Sequence, residues 1–337
     1  MIRFDPASGP HSHSGLTTRQ VMLAVMLALT PATLFALLLF GWPALATFAA
    51  CCGGALAAEL VGNWWRGRHW QQASDGAALL TGWLLALSLP PTCPPAIAAL
   101  GAALGVLLAK QAYGGIGHNL FNPAMAARVL LLASFPAAMT QWSSPSTAFA
   151  EWLFSQQPTL AIDGLSGATP LAHDGVLATA TLDSQWPLLI GAHSGSLGET
   201  SALLLGLGGL WLLWRRQIPA DLPAAVLLGA LLPAAIGHLL APASYPSPLF
   251  ELGSGGLVLC AFFISTDPVT SPVTSRGRWL YGLGTGLLIW LIRRFGNTPE
   301  GVAFAILLMN ALTPLIDHWL PIRPFGSSPS RPRSAQP

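Results

Sequence analysis

The chain of 337 residues consists largely of long apolar runs interrupted by glycine, proline or a few charged residues. The run from Gln20 to Phe40, for example, contains no charged side chain. A helix needs about 20 consecutive apolar residues to cross the hydrocarbon core of a bilayer. Charged residues make up 8% of the chain, whereas soluble domains contain about 25%. The sequence therefore predicts an all-α integral membrane protein.

The apolar runs predict ten transmembrane helices with one long outer loop. We place them at 19–40, 42–62, 75–89, 95–110, 121–136, 197–214, 221–241, 251–266, 278–293 and 300–320. The chain then divides into a tail at 1–18, five helices in 19–136, the outer loop at 137–196, five helices in 197–321 and a tail at 322–337. The last tail is rich in proline, serine and arginine, and we expect it to be disordered.

The basic residues orient these helices, because short cytoplasmic loops carry an excess of lysine and arginine. If both termini are cytoplasmic, the basic residues of nearly every connection fall inside, including Arg66, Arg68, Lys110 and Arg215. The outer loop contains no lysine or arginine. Only the pair at 293–294 departs from the rule. We expect a bacterial inner-membrane protein whose outer loop lies in the periplasm.

The two sets of five helices resemble each other weakly. Gly76–Pro94 and Gly255–Pro272 share a pattern of glycine, an apolar run and prolines, and Asn122-Pro123 resembles Thr298-Pro299. An odd number of helices per half would make such a repeat inverted across the membrane. Similarity this weak also arises by chance, so both interpretations stay open.

The long outer loop contains the string Asp163-Gly-Leu-Ser166-Gly167-Ala168-Thr169. Gly167 and Ala168 leave the Thr169 hydroxyl uncrowded, and Asp163 and Ser166 offer a carboxylate and a hydroxyl for recognition by a modifying enzyme. The string resembles the site at which a flavin transferase links FMN, through its phosphate, to a threonine. The alternative is an ordinary Gly/Ser turn, but the full string favours the flavin site.

A glycine-rich segment before the fifth predicted helix carries Asn119 and Asn122. Its glycines allow the backbone to approach a flat ligand, and asparagine amides can donate and accept at an isoalloxazine edge. Asn122, which precedes Pro123, is equally explained as a helix cap. The two interpretations are compatible, and both remain open.

Other polar motifs have simpler explanations. Ser196 and Glu199 fit a capping box for the sixth helix, which we favour over a proton or ion role for Glu199. Asp267 either pairs with an arginine at the membrane surface or has a functional role. The four cysteines lack metal-site spacing, which argues against an iron–sulfur cluster or a zinc site in this chain, and we expect them to be small buried apolar residues.

Several of these strings occur together, and in order, in one family. The chain resembles the D subunits of Rnf electron-transport complexes and, more distantly, the B subunits of Na⁺-translocating NADH:quinone oxidoreductases. The matching strings are Asp75–Thr81, Lys110–Gly117, Phe121–Met125, Asp163–Leu171, Gly195–Ser201, Thr266–Thr270 and Gly301–Asn310.

The resemblance implies a ten-helix flavoprotein subunit with FMN on Thr169 and a second, noncovalent flavin, riboflavin or another, near Asn119 and Asn122. It implies electron transfer between ferredoxin and NAD⁺ with Na⁺ or H⁺ translocation by the assembled complex, so the chain is not catalytic alone. Partner subunits would bind ferredoxin and NAD⁺, and a flavin transferase would attach the FMN. We expect no nucleic-acid partner, because the arginines are dispersed. The alternatives are a secondary transporter with inverted repeats and a flavin-free scaffold for redox partners.

Overall fold

The computed structural model describes residues 17–68, 74–143, 145, 189–191, 194–242, 244–296 and 300–321. Most of the outer loop and nearly all of both tails lie outside this set. The predicted attachment site, comprising Asp163, Ser166, Gly167, Ala168 and Thr169, therefore falls outside the described residues, as does the expected disorder of the C-terminal tail.

The described residues form helices and no strands, which confirms the all-α prediction. The helices are α1 Thr18–Phe40, α2 Trp42–Trp65, α3 Ala77–Ser88, α4 Pro95–Val106, α5 Pro123–Ser134, α6 Pro136–Met139, α7 Ala202–Trp214, α8 Asp221–Leu240, α9 Pro248–Gly253, α10 Leu257–Leu259, α11 Ser275–Phe295 and α12 Val302–Trp319. By length and composition, α1, α2, α8 and α12 can cross a membrane, and several shorter apolar helices accompany them.

The prediction of one continuous eighth helix at 251–266 is wrong. The structure divides this stretch into α9, α10 and a π-helical turn at Cys260–Ile264. The break lies at Ser254-Gly255-Gly256, where Gly255 adopts a φ of 66°. Glycine tolerates this left-handed conformation, which interrupts a right-handed helix. The other nine predicted helices each correspond to an α-helix among the described residues.

In each half, two helices pack closely through glycine: α2 packs on α4 in the first half, and α8 packs on α11 in the second. A Cβ atom at Gly54 on α2 would collide with the carbonyl oxygen of Ala99 on α4, and one at Gly229 on α8 would collide with that of Leu283 on α11. Small residues let membrane helices approach to backbone contact. In addition, α4 packs against α5, and α11 packs against α12. The shared packing order supports the repeat over chance similarity.

The break in the eighth predicted helix is filled by Arg293 from α11. Its guanidinium donates to the Glu251 carboxylate at 2.8 Å and to the Ser254 carbonyl at 3.0 Å, and the side chain is buried. Its charge is therefore neutralised inside the protein. Arg293 lies in the last turn of α11 and departs from the positive-inside pattern because its charge is paired with Glu251 inside the protein and is not exposed in a loop.

Candidate functional site

A cavity of about 720 Å³ lies at one end of the helix bundle. Its walls come from the starts of α1, α3 and α5, the π-helical turn Leu107–Gln111 after α4, the segment 216–219, and the segment 263–273. These parts belong to the end of the bundle where the sequence predicts the cytoplasm. The volume is within the range of about 300–1,000 Å³ typical of small-molecule sites.

Asn119 and Asn122 both line this cavity and are buried. The Oδ1 atom of Asn122 accepts hydrogen bonds from the backbone N–H groups of Ala124 and Met125, which confirms its predicted role as the cap of α5. Asn119 donates its Nδ2 group to the Phe121 carbonyl at 3.3 Å. Within the described part of the chain, this leaves the Nδ2 donor of Asn122 and the Oδ1 acceptor of Asn119 without a partner.

Lys110 forms another part of the cavity wall and lies at the π-helical turn. Its ammonium nitrogen is 3.1 Å from Oε1 of Glu59 on α2, and both side chains are buried. The alignment of this contact is not that of a hydrogen bond, so Lys110 Nζ has no hydrogen-bond partner among the described residues, and Glu59 Oε2 has none there either. A buried ion pair with unused donors thus borders the cavity.

Asp267 lines the cavity and does not pair with an arginine among the residues described, so that interpretation is wrong. Its carboxylate accepts hydrogen bonds from the Val269 N–H at 3.2 Å and the Thr270 hydroxyl at 3.1 Å. Short aspartate side chains commonly bond the backbone two residues ahead in this way. The carboxylate therefore stabilises the turn that closes this side of the cavity.

The predicted capping box at Ser196 and Glu199 is also wrong. Ser196 precedes a 3₁₀ turn, Leu197–Glu199, and its hydroxyl donates to the Glu199 carboxylate at 2.7 Å. The helix that follows begins at Ala202 and is capped by Ser201. The capping box fails because the chain turns once more before the helix starts, which places Ser201, rather than Ser196, at the cap.

A second group of buried charges lies outside the cavity wall. Arg128 on α5 forms an ion pair with Glu300, which precedes α12. Oε2 of Glu199 is buried without a hydrogen-bond partner in the described residues. Glu199 follows the predicted outer loop closely in sequence, so this group differs in position from the one formed by Lys110 and the two cavity asparagines.

The prediction for the cysteines is confirmed, since Cys51, Cys52, Cys93 and Cys260 are buried and unbridged. The part of the chain that the structure describes contains no group of three histidine, cysteine or acidic side chains suited to a metal ion. Neither a role for Glu59 nor the pairing of Arg128 with Glu300 is predicted by the sequence patterns above. Lone charges of opposite sign within apolar runs could have indicated such pairs, because buried charges need partners.

A family model described as the NQR2, RnfD, RnfE family matches residues 6–326. The chain belongs to this family. The D subunit of the ion-translocating oxidoreductase complex of Stutzerimonas stutzeri is 48% identical over 326 residues, which cover 91% of this chain and 92% of that protein. The identically named protein of Halorhodospira halophila is 41% identical over 337 residues, covering 95% and 94%.

The protein of that name from Escherichia coli is 40% identical over 346 residues, covering 96% of this chain and 98% of its own length. The resemblance inferred from the sequence strings is thereby confirmed at the level of the NQR2, RnfD, RnfE family.

Proposed function

We propose that this chain is the membrane flavoprotein subunit of an Rnf-type ion-translocating oxidoreductase complex. It relays electrons through FMN attached to Thr169 and through a second, noncovalent flavin held in the cavity. Family membership over residues 6–326 supports the assignment to the complex. The cavity, whose wall contains Asn119 and Asn122, supports the second flavin. A flavin supplies the electron chemistry, while the protein contributes binding, orientation and electrostatics.

The observation that carries the second site is the pair of unused amide groups in the cavity wall. The pyrimidine edge of an isoalloxazine presents two carbonyl acceptors on either side of one N–H donor. The Nδ2 group of Asn122 can donate to a carbonyl, and Oδ1 of Asn119 can accept from the N–H. Apolar side chains from α1 and α3 form another part of the wall and can contact the ring.

The cap geometry gives Asn122 a defined orientation for this contact. Two backbone N–H groups bind its Oδ1 atom, at 3.0 Å from Ala124 and 3.3 Å from Met125. The side-chain amide is therefore positioned before a ligand arrives, and less conformational entropy is lost on binding.

The two proposed flavins lie toward opposite membrane surfaces. The cavity lies at the end predicted to face the cytoplasm, and Thr169 belongs to the predicted outer loop. A hydrocarbon core of about 30 Å separates such surfaces. In the proposed complex, this chain carries one flavin near each membrane surface. Electrons therefore cross the membrane by way of these two flavins.

The partners follow from what the sequence lacks. The chain contains neither a Gly-x-Gly-x-x-Gly nucleotide-binding string nor the cysteine spacing of a ferredoxin. In the proposed complex, other subunits bind NAD⁺ and ferredoxin, and a flavin transferase attaches FMN to Thr169. The outer loop offers no lysine or arginine to the FMN phosphate, so backbone N–H groups, His173 or a partner subunit would bind it.

The attachment site is tested by producing the chain with its flavin transferase, separating it under denaturing conditions and measuring in-gel flavin fluorescence. We expect a fluorescent band, and a mass increase equal to FMN less one water on the peptide that contains Thr169. Thr169→Ala should be dark, whereas Thr159→Ala, a control in the same loop, should fluoresce like the original chain. A dark original chain beside an active transferase would refute covalent attachment.

A further inference from the structure

Lys110, the only lysine of the chain, lies where α4 widens into the π-helical turn Leu107–Gln111. Such turns insert an extra residue into a helix and frequently occur at functional sites. The side chain is 3% exposed and forms part of the cavity wall that also contains Asn119 and Asn122.

The pairing of Lys110 with Glu59 leaves hydrogen-bonding capacity unused. The ammonium group has three N–H donors, yet the 3.1 Å contact with Glu59 is not aligned as a hydrogen bond. No other acceptor for Lys110 Nζ occurs in the described residues. Because unsatisfied buried donors are rare in folded proteins, a cation with free donors at a cavity wall indicates a ligand with an acceptor there.

The other cations at the cavity are less suited to this role. Arg278 binds both carboxylate oxygens of Asp221, at 2.9 and 2.8 Å, so its charge is already paired. Arg216 is exposed at the mouth, where solvent screens its charge. Lys110 is the buried cation in the described cavity wall.

We propose that Lys110 compensates the negative charge that the noncovalent flavin gains on reduction, by contacting its N1 and C2-carbonyl edge; this inference rests on the proposed function. Two electrons from a reduced redox centre of a partner subunit and one proton convert the oxidised ring into the hydroquinone anion. The added charge resides at N1 and the C2 carbonyl. A cation acts strongly there because a buried site screens charge less than water does.

Asp267 contributes a carboxylate to the same cavity wall, and Glu59 is the acidic side chain paired directly with Lys110. The Glu59 carboxylate lies beside the ammonium group and partly cancels the field at the cavity. The two partners therefore have opposite effects on the flavin. Removing the lysine charge disfavours the reduced ring, and removing the glutamate charge favours it.

The experiment is a redox titration of the full-length Thr169→Ala chain, loaded with riboflavin and freed of unbound riboflavin, so that absorbance reports the cavity flavin alone. Lys110→Gln should lower the ratio of affinities for reduced and oxidised flavin at least tenfold, which is about 30 mV for a two-electron couple. Lys110→Arg keeps the charge and should stay within threefold of the parent. Glu59→Gln should raise the ratio.

A Glu59→Gln/Lys110→Gln double variant removes both charges and avoids an unpaired buried carboxylate. Its ratio should fall less than that of Lys110→Gln, and it covers the case in which the single variant does not fold. A Lys110→Gln ratio that is unchanged while flavin stays bound would overturn the role of Lys110 and leave the cavity assignment intact. A parent chain that binds no riboflavin would overturn both the cavity assignment and this inference.

Discussion

Each half of the bundle buries a basic residue beside a glutamate, but the two pairs differ in what surrounds them. Arg293 donates to the Glu251 carboxylate, the Glu251 carbonyl and the Ser254 carbonyl, and only its Nε atom has no acceptor in the described residues. Among the described residues, the Lys110 ammonium group has one ion-pair contact, with Glu59, and it borders a cavity of about 720 Å³.

This difference indicates that Arg293 and Glu251 form a structural pair, whereas Lys110 and Glu59 belong to a candidate binding site. Arg293 replaces the helical hydrogen bonds that the break at Ser254–Gly256 removes, since non-helical backbone at membrane depth needs partners within the protein. Its Nη1 and Nη2 donors are engaged by the fold. The donors of Lys110 are not, and the cavity beside them provides room for a ligand that accepts hydrogen bonds.

The largest effect on stability is expected for Arg293→Met. The change preserves much of the side-chain volume but leaves Glu251 buried without its cation, and losing one partner of a buried pair costs about 3–5 kcal/mol. Thermal unfolding of the purified chain in detergent measures the loss.

Arg294→Met is a matched control at the next position, since that arginine contacts the Ser244 carbonyl and the Tyr245 ring nearer the surface. We expect it to lose much less stability than Arg293→Met. Lys110→Met also leaves a buried glutamate without its cation. Arg293→Met additionally removes hydrogen bonds to two backbone carbonyls, so we expect the lysine variant to lose less stability. Equal losses for the lysine and the buried arginine would contradict the distinction between the two pairs.

A smaller effect on stability is expected for Asn122→Ala, because loss of a helix cap costs about 1 kcal/mol. The same variant should lose noncovalent flavin, since the amide that faces the cavity is removed. Unfolding experiments and the flavin released on denaturation measure the two effects separately.

Asn122→Asp distinguishes the two roles of this residue. Aspartate caps helices about as well as asparagine, so stability should remain near that of the original chain. Aspartate has no amide donor and adds negative charge to the cavity, so flavin binding should fall at least tenfold. Full flavin binding by a folded Asn122→Asp chain would mean that Asn122 serves only as a cap.

Much of the bundle could be predicted from the sequence because membrane helices have a strong composition signal. Nine of the ten helices follow from apolar length and from glycine and proline boundaries. The eighth fails because Ser254-Gly255-Gly256 lies within an apolar stretch, and hydropathy does not register the positive φ of Gly255. Its stabilisation by Arg293 is a contact across 42 residues of sequence.

The site could be predicted only in part. Asn119 and Asn122 stand out in a glycine-rich segment, so local sequence indicates them. The role of Lys110 depends on Glu59, which lies on another helix, and on a cavity whose walls come from both halves. A local sequence pattern does not indicate contacts between segments that are far apart in the chain. The capping box at Ser196 also fails, because the sequence does not reveal the 3₁₀ turn before α7.

The most direct test of the central claim is the flavin content of the purified chain, made together with its flavin transferase and separated into two fractions by acid precipitation. We predict one flavin per chain that stays with the precipitated protein and one that is released into the supernatant. A chain with neither flavin, matured beside a transferase of demonstrated activity, would contradict the account and favour a transporter or a flavin-free scaffold.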